Sequence, residues 1–598
     1  MNNYTWKERL QYWFDEKLAK GPSALIYLLG VVTVVMVLLL ACVYAGIEGE
    51  TFSSSLWNSF ASTVNAWVAY YEDGSPVYLI VMSLAGIGGL FITSMLIGIL
   101  TASIEEKMGQ LRKGNSRVIE SSHWVILGSV EHSILLIEEL IMSLGDEKKT
   151  LVFACEGEKD ELEDQIKSKI DIPDNIKFVV RSVDTKDSDQ LECLSLNDAQ
   201  KIIINEEDAF ETLKCLLAVN NVLSEGDSEA KIVTYIKHME NDALCKNIGG
   251  NRVFVACISD VISRIIGRTC TQTGLVNVFM DTLDFSNVNM YFVEDTSLVG
   301  KSFHEAYMSL RNKTLVGIYK RNKKDTLLNP DGNIVIEKGD ALLVFGKDEP
   351  TVYQQLPVKM NEYQIEVNEE DNTKDVLIFN YNEGYTKVLK ELALEKAHVV
   401  VVKDIDQQIP DCEEEIVEID FSRKFDIQKL VMNSRHVIIL SDPEEDYEVS
   451  DQRNMMLYLR IKEIKERLGL YLNTTVVLRF EANKHLLEPD EESEFIVPSQ
   501  IAALVLAQVS DDERKKNVFT ELLSSKGNEF YLVHAHDYVP MNIELRQEEV
   551  RSSLLKQKAI YLGYRTKVAN KNKFVLNPDA QDVVLFKGDD KLVVLKEN

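Results

Sequence analysis

At 598 residues the chain is too long for one hydrophobic core and requires about three to five folding units. Its formal net charge of −30 argues against nucleic acid as a partner, because phosphate binding needs clustered Lys and Arg. Eight cysteines form no C-x-x-C pair and sit mostly in apolar text such as Val255-Ala256-Cys257-Ile258, the pattern of reduced core residues rather than of disulfides or zinc ligands.

Tyr4–Lys20 brings Trp6, Leu10, Trp13, Phe14 and Leu18 together at helical spacing, with Lys7, Arg9, Lys17 and Lys20 between them. That pattern predicts an amphipathic helix over residues 1–22 on the cytoplasmic membrane face. Ala24–Ala45 is an uncharged apolar run of 22 residues, long enough for a first transmembrane helix. The second is Val77–Ser103, which runs straight into Ile104-Glu105-Glu106-Lys107. Gly86, Gly88 and Gly89 make it the expected pore-lining helix with a gating hinge, the alternative being close helix packing. Gly46–Pro76 holds no Lys or Arg, whereas both outer flanks are basic, so the positive-inside rule puts both termini in the cytoplasm. We expect an integral protein of a bacterial-type plasma membrane, with lipid as one partner.

Within that loop Ser55–Val68 is too short to span and apolar enough to dip into the membrane, a depth at which irregular backbone must be buried in protein or line a wet cavity. Span, re-entrant helix and span over residues 23–104 is the plan of a two-helix tetrameric cation channel. The filter segment is Thr63-Val64-Asn65-Ala66-Trp67, which keeps the Thr-Val of the potassium-channel T-V-G-Y-G and lacks both glycines. A potassium-selective carbonyl ladder is therefore not expected. Asn65 is a candidate filter side chain, and Glu72 and Asp73 a candidate ring that concentrates cations at the outer mouth. The bland alternatives are a polar cap and a solvated loop.

A polar linker, residues 105–121, leads to alternating strands and helices: His123–Gly128, Thr150–Ala154, Lys177–Val180, Lys201–Ile204 and Lys231–Tyr235, with helices such as Ile134–Ser143 and Asp208–Leu223. This predicts an α/β Rossmann-like doubly wound sheet over 122–280, followed by a β-rich lobe over 281–365. The programme then repeats, with Asp375–Phe379, Ala397–Val402, Arg435–Leu440 and Thr475–Arg479 over 366–510 and a second lobe over 511–598. The L-N-P-D motifs at Leu328 and Leu576 lie 248 residues apart, and the K-G-D motifs at Lys338 and Lys587 lie 249 apart, which points to internal duplication.

Two such modules behind a two-helix pore resemble regulator-of-potassium-conductance (RCK) domains. The runs FDEKLAKG, GGLFITSMLIGILTASIEEKMGQLRKGNSRVIESSHWVILG, EFIVPSQIAALVLAQVS and ELLSSKGNEFYLVHA resemble the Castor/Pollux ion-channel family. The resemblance implies a ligand-gated cation channel with tandem regulatory modules. It departs from that family in its number of upstream membrane helices and in the filter, where Asn65-Ala66-Trp67 stands for an Asp-x-Gly element.

For a ligand, a dinucleotide is not expected, because Gly128-Ser129-Val130-Glu131 keeps one glycine of G-x-G-x-x-G; Gly128 and Glu156 are the residues such a ligand would use. Calcium is the expected regulatory cation, since it takes six to eight mixed oxygens. Its candidate ligands are Asp442, Glu444, Glu445 and Asp446, then Glu488, Asp490, Glu491, Glu492 and Glu494. His534 and His536 have no evident third ligand, and no catalytic constellation is expected. The leading function is a homotetrameric cation channel opened or closed by a cytoplasmic ring. The alternatives are a non-conducting membrane-anchored sensor and a tethered enzyme.

Overall fold

The computed structural model describes all residues except 1–21, 49–50, 65–74, 113–115, 207, 225–227, 237–241, 348–353, 355–374, 406, 444, 488–489, 523–526, 569–570 and 598. The expected surface helix at Tyr4–Lys20 and the filter positions Asn65, Ala66, Trp67, Glu72 and Asp73 lie outside the described residues. The chain forms two compact units, Met1–Asn115 and Ser116–Asn598.

Among the described residues the first unit has three helices: α1 (Pro22–Glu48), α2 (Phe52–Val64) and α3 (Pro76–Arg112). Leu29–Ile47 in α1 and Leu79–Thr101 in α3 are long and apolar enough to cross a membrane. The 13 residues of α2 reach about 20 Å, short of a bilayer core. The buried face of α2 is Ser55, Ser59, Ser62 and Thr63, a polar stripe of small side chains that lets helices approach closely. Ser59 Oγ donates to the Val37 carbonyl at 2.8 Å, and Tyr44 Oη lies 3.4 Å from Ser62 Oγ. Leu39, Ile80, Leu84 and Phe91 face outward, as side chains destined for lipid do. Helix α3 is unbroken past Ser103, so the first eight residues expected as linker, 105–112, are helical.

The second unit contains the same module twice. In the first, β1 (Trp124–Gly128), β2 (Lys149–Cys155), β3 (Ile176–Ser182), β4 (Lys201–Asn205), β5 (Lys231–Ile236) and β6 (Val253–Cys257) form a parallel sheet ordered β3-β2-β1-β4-β5-β6. This is the doubly wound Rossmann order. Its lobe is the antiparallel sheet of β7 (Asn289–Val293), β8 (Thr314–Lys320), β9 (Asp325–Leu328) and β10 (Ala341–Gly346). The second module repeats this order with β11 (Asp375–Phe379), β12 (His398–Asp404), β13 (Glu415–Ile419), β14 (His436–Ile439), β15 (Asn473–Val477) and β16 (Ser493–Ile496). Its lobe holds β17 (Asn528–His534), β19 (Ile560–Val568), β20 (Lys571–Leu576) and β22 (Lys591–Glu597), with β18 (Glu544–Arg546) paired to β21 (Val583–Leu585). Strands β1, β4 and β14 are buried along their whole length, as continuous apolar runs in a sheet covered on both faces must be. Burial pushes the Cys155 thiol up to about 12, consistent with an inert core cysteine.

The modules exchange helices. After β6, α5 (Ile258–Thr271) packs on α7 (Thr386–Leu394) and on β14 and β15 of the second module. After β16, α8 (Pro498–Asp511) packs on α4 (Val130–Leu144) and on β4, β5 and β6 of the first. Every residue of α8 from Gln500 to Ser510 is buried, which explains a helix apolar on all sides. The last carbonyls of α8, Ser510 and Asp511, accept from Lys201 of β4, a cation at the negative end of a helix dipole.

The duplicated L-N-P-D motifs clasp the two lobes reciprocally. Asn329 and Asn577 both adopt positive φ, 39° and 47°. Asn329 Nδ2 donates to Asn528 Oδ1 and to the Lys558 carbonyl, both at 3.0 Å; Asn577 Nδ2 donates to the Asn312 carbonyl at 2.8 Å and Asn577 Oδ1 accepts from Thr314. Asn577→Ala removes two hydrogen bonds and a side chain that tolerates positive φ, so it should lower unfolding stability by roughly 2 kcal/mol. Denaturant titration of the full chain checks this, with Asn572→Ala on the adjoining strand as comparison.

Candidate functional site

In the first unit α2 packs against α3. Met82, Ala85, Gly86 and Gly89 are the buried face of α3, at spacings of three and four. A Cβ on Gly89 would overlap the Thr63 carbonyl, standing 2.6 Å from its carbon, so only glycine fits there. Gly88 faces the flexible Met36 side chain, whose Sδ would stand 3.1 Å from an added Cβ. Gly89 therefore serves close packing within an uninterrupted helix. Thr63 Oγ1 donates back to Ser59 at 2.8 Å, and Val64 is exposed at the end of α2.

Four of the acids named as calcium ligands have protein partners for their carboxylates. Lys465 Nζ lies between Asp490 (3.0 Å) and Glu492 (2.9 Å), Glu445 pairs with Arg453, and Asp446 caps the helix Tyr447–Leu468 by accepting from Glu448 N at 2.9 Å. Asp442 N is bonded to Ser450 Oγ at 2.9 Å, and Glu491 is half-buried. Glu444 and Glu488 lie outside the described residues. Among the described residues no three His, Cys, Asp or Glu side chains come together as a metal group. A lysine, an arginine and a helix terminus thus engage four of those carboxylates, Asp490, Glu492, Glu445 and Asp446.

Gly128, at φ +151°, lets β1 pass the Asn205 backbone of β4, and Asn205 Nδ2 fills the crevice by donating to the His132 carbonyl at 2.9 Å. Glu156 is exposed beyond β2. In the second crevice Asn382 Oδ1 accepts from Gly384 N at 3.1 Å. His534 and His536 stack with ring centroids 5.1 Å apart.

Glu494 departs furthest from the sequence-based expectation. It is on a buried strand, not in a solvated acidic loop, and accepts from Gly274 N at 2.6 Å, at the start of α6 (Leu275–Leu283) in the other module. The far end of α6 is held by Glu139 of α4, which accepts from Phe285 N at 2.9 Å. Burial, only partly offset by backbone N–H groups and Arg565, pushes Glu494 up to about 8; burial pushes Glu139 up to about 7 against its own hydrogen bond to Phe285. Raised carboxyls mean that the docked state holds protons that the separated state releases. For Glu494, whose partner lies in the other module, docking is therefore strongest at low pH, weakens as pH rises toward about 8 and levels off above it. Each group changes stability by roughly 1.4 kcal/mol per pH unit between its separated and docked values. Thermal melts of the full chain from pH 6 to 9 should show a falling midpoint, with a shallower slope in Glu494→Gln.

The seam also holds a buried ionic group. Arg268 of α5 pairs with Glu395, and its Nη2 lies 2.8 Å from Glu529 of β17; all three side chains are close to fully buried. Gly267 packs against Glu391, where an added Cβ would lie 2.7 Å from the Glu391 Cβ.

Residues 259–362, from α5 through the first lobe, match a family model described as Castor and Pollux, part of voltage-gated ion channel. Over 99% of its length the chain is 25% identical to a rice protein named probable ion channel CASTOR, covering 72% of that relative. It is 25% identical to the Lotus japonicus ion channel CASTOR (96% of this chain, 74% of the relative) and 23% identical to the Arabidopsis thaliana probable ion channel POLLUX (98% and 78%). These relatives are plant proteins and lend no support to a bacterial-type membrane. The human SLO3 gating ring has the same fold, with a TM-score of 0.53 and 12% identity over 79% of this chain and 99% of that one. The resemblance to the Castor/Pollux ion-channel family thus extends across the whole chain, from the membrane helices through both RCK-type modules.

Proposed function

We propose that the chain is the subunit of a ligand-gated cation channel in which four copies surround a pore and their paired modules form a cytoplasmic ring acting on α3. The observation that carries this reading is the pairing of two membrane-length helices around a short helix, locked at Gly89 and Thr63, with a doubled Rossmann module. The covalent path supports coupling, since α3 ends at Arg112 and the regulatory unit begins at Ser116. Assembly is favoured by exposed apolar pairs seven residues apart on equivalent helices, Phe210 with Leu217 after β4 and Val449 with Met456 after β14, which a second copy would cover. Both termini lie on the cytoplasmic side in this reading. A cation suits the acidic second unit as regulator, and calcium is the first to vary.

Cation flux from proteoliposomes containing the purified chain tests the proposal. Flux that responds to calcium or another ligand on the module side supports it; absence of flux under every ligand favours the non-conducting sensor suggested by the glycine-free Thr63–Trp67.

A further inference from the structure

Where α4 of the first module meets the second module, packing leaves a cavity of about 310 Å³, a size typical of small-molecule sites. Its floor is one face of α4, with Glu131, Ile134, Leu135 and Glu138 at spacings of three, four and seven. Two carboxylates therefore stand about 10 Å apart along the helix axis, with apolar surface between them. The facing wall is Phe480 and Glu481. Buried Asp451 fixes that wall by accepting from Arg479 N at 2.8 Å, Phe480 N at 3.0 Å and Asn483 Nδ2 at 2.8 Å. Gln500 closes the end; it is nine-tenths buried, and its side-chain amide has no partner among the described residues. That amide lines the cavity, where it is free to bond a ligand.

The charges around the cavity are Glu131, Glu138 and Glu481 against Lys169, with two histidines held in place. Ser129 Oγ lies 2.7 Å from His132 Nδ1, and Glu481 lies 3.7 Å from His485 Nε2. The excess of carboxylates disfavours a phosphate-bearing ligand, and the apolar floor suits a hydrocarbon chain.

We propose that this cavity is the seat of a linear aliphatic diamine, with its methylenes on Ile134 and Leu135 and one ammonium at each of Glu131 and Glu138. The Phe480 ring and the Gln500 carbonyl supply the neutral contacts. A ligand so placed touches both modules and binds the docked pair better than a separated one, which is the requirement for shifting a conformational equilibrium. Its regulatory role rests on the channel reading above; its binding does not.

Isothermal titration of the full chain in nanodiscs with 1,7-diaminoheptane, at physiological ionic strength, tests the seat. One saturable site per chain is expected, with heptylamine at least about tenfold weaker because it satisfies one carboxylate. Glu131→Gln combined with Glu138→Gln should weaken binding at least about tenfold, and Gln500→Leu severalfold. Asp174→Asn, an exposed acid elsewhere, should leave it unchanged. No saturable site, equal affinity for heptylamine, or an unchanged titration in the variants overturns the seat and leaves only diffuse cation uptake by an acidic surface. Diamine binding that leaves flux untouched upholds the seat and counts against the gating reading.

Discussion

Replacing Gly89 with alanine is expected to abolish flux and to lower the thermal stability of the membrane unit by about 3 kcal/mol or more. The added Cβ meets backbone, the Thr63 carbonyl, rather than a side chain that can swing aside. Overpacking a well-filled contact typically costs about 1–3 kcal/mol, and a backbone obstacle puts this case at the upper end. Relief requires α2 to move away from α3, which would also displace the chain that follows Val64 into the filter segment. Two neighbours provide graded controls. At Gly88 the new methyl meets the thioether of Met36, which is flexible, so a small effect is expected. At Gly98 nothing lies within 4 Å, and alanine should be neutral or stabilising by up to about 1 kcal/mol from helix propensity. Melting curves of the three variants in detergent decide the matter: if Gly89→Ala melts with Gly98→Ala, the close contact between α2 and α3 is wrong.

Arg268→Ala should be the most damaging change at the seam. Arg268 satisfies Glu395 and Glu529, and all three side chains are almost wholly out of water. Removing one partner of a buried ionic group typically costs about 3–5 kcal/mol, because carboxylates are left without compensation. The loss should be largely recovered when Glu395→Gln and Glu529→Gln are added, since the stranded charges are then gone. Denaturant titration should give a large shift for Arg268→Ala and a smaller one for the triple variant. Equal shifts would mean that packing of α5 on α7, not charge, sets the loss.

Much of the fold is legible in the sequence because its signals are local. Runs such as Trp124–Leu127 and His436–Ile439 read as buried parallel strands, and the L-N-P-D repeat marks the duplication. The membrane helices are legible from apolar length alone. What is not legible depends on distant partners. Strands β6 and β16 are short and interrupted by polar or small residues, and Glu494 sits at the end of an acidic run that looks solvated. Its partner, Gly274, is 220 residues away. The serine stripe of α2 is written as Ser55, Ser59 and Ser62, at spacings of four and three, but which helix it faces is set by the distant Val37 and Tyr44. The asparagines of L-N-P-D are visible as a repeat, but their reciprocal clasp exists only once two lobes face each other. The partners of the acidic clusters are not legible, because density of carboxylates says nothing about the lysine and arginine that fold against them.

If the paired modules act on α3 as proposed, loosening the seam between them changes gating. Single-channel recording of the purified full chain in planar bilayers, wild type against Arg268→Ala, tests it most directly. The expected result is a changed open probability with unchanged unitary conductance, because the substitution loosens the seam and leaves α2 and α3 intact. Identical open probabilities in the two proteins, or a wild type that passes no current, would contradict the claim.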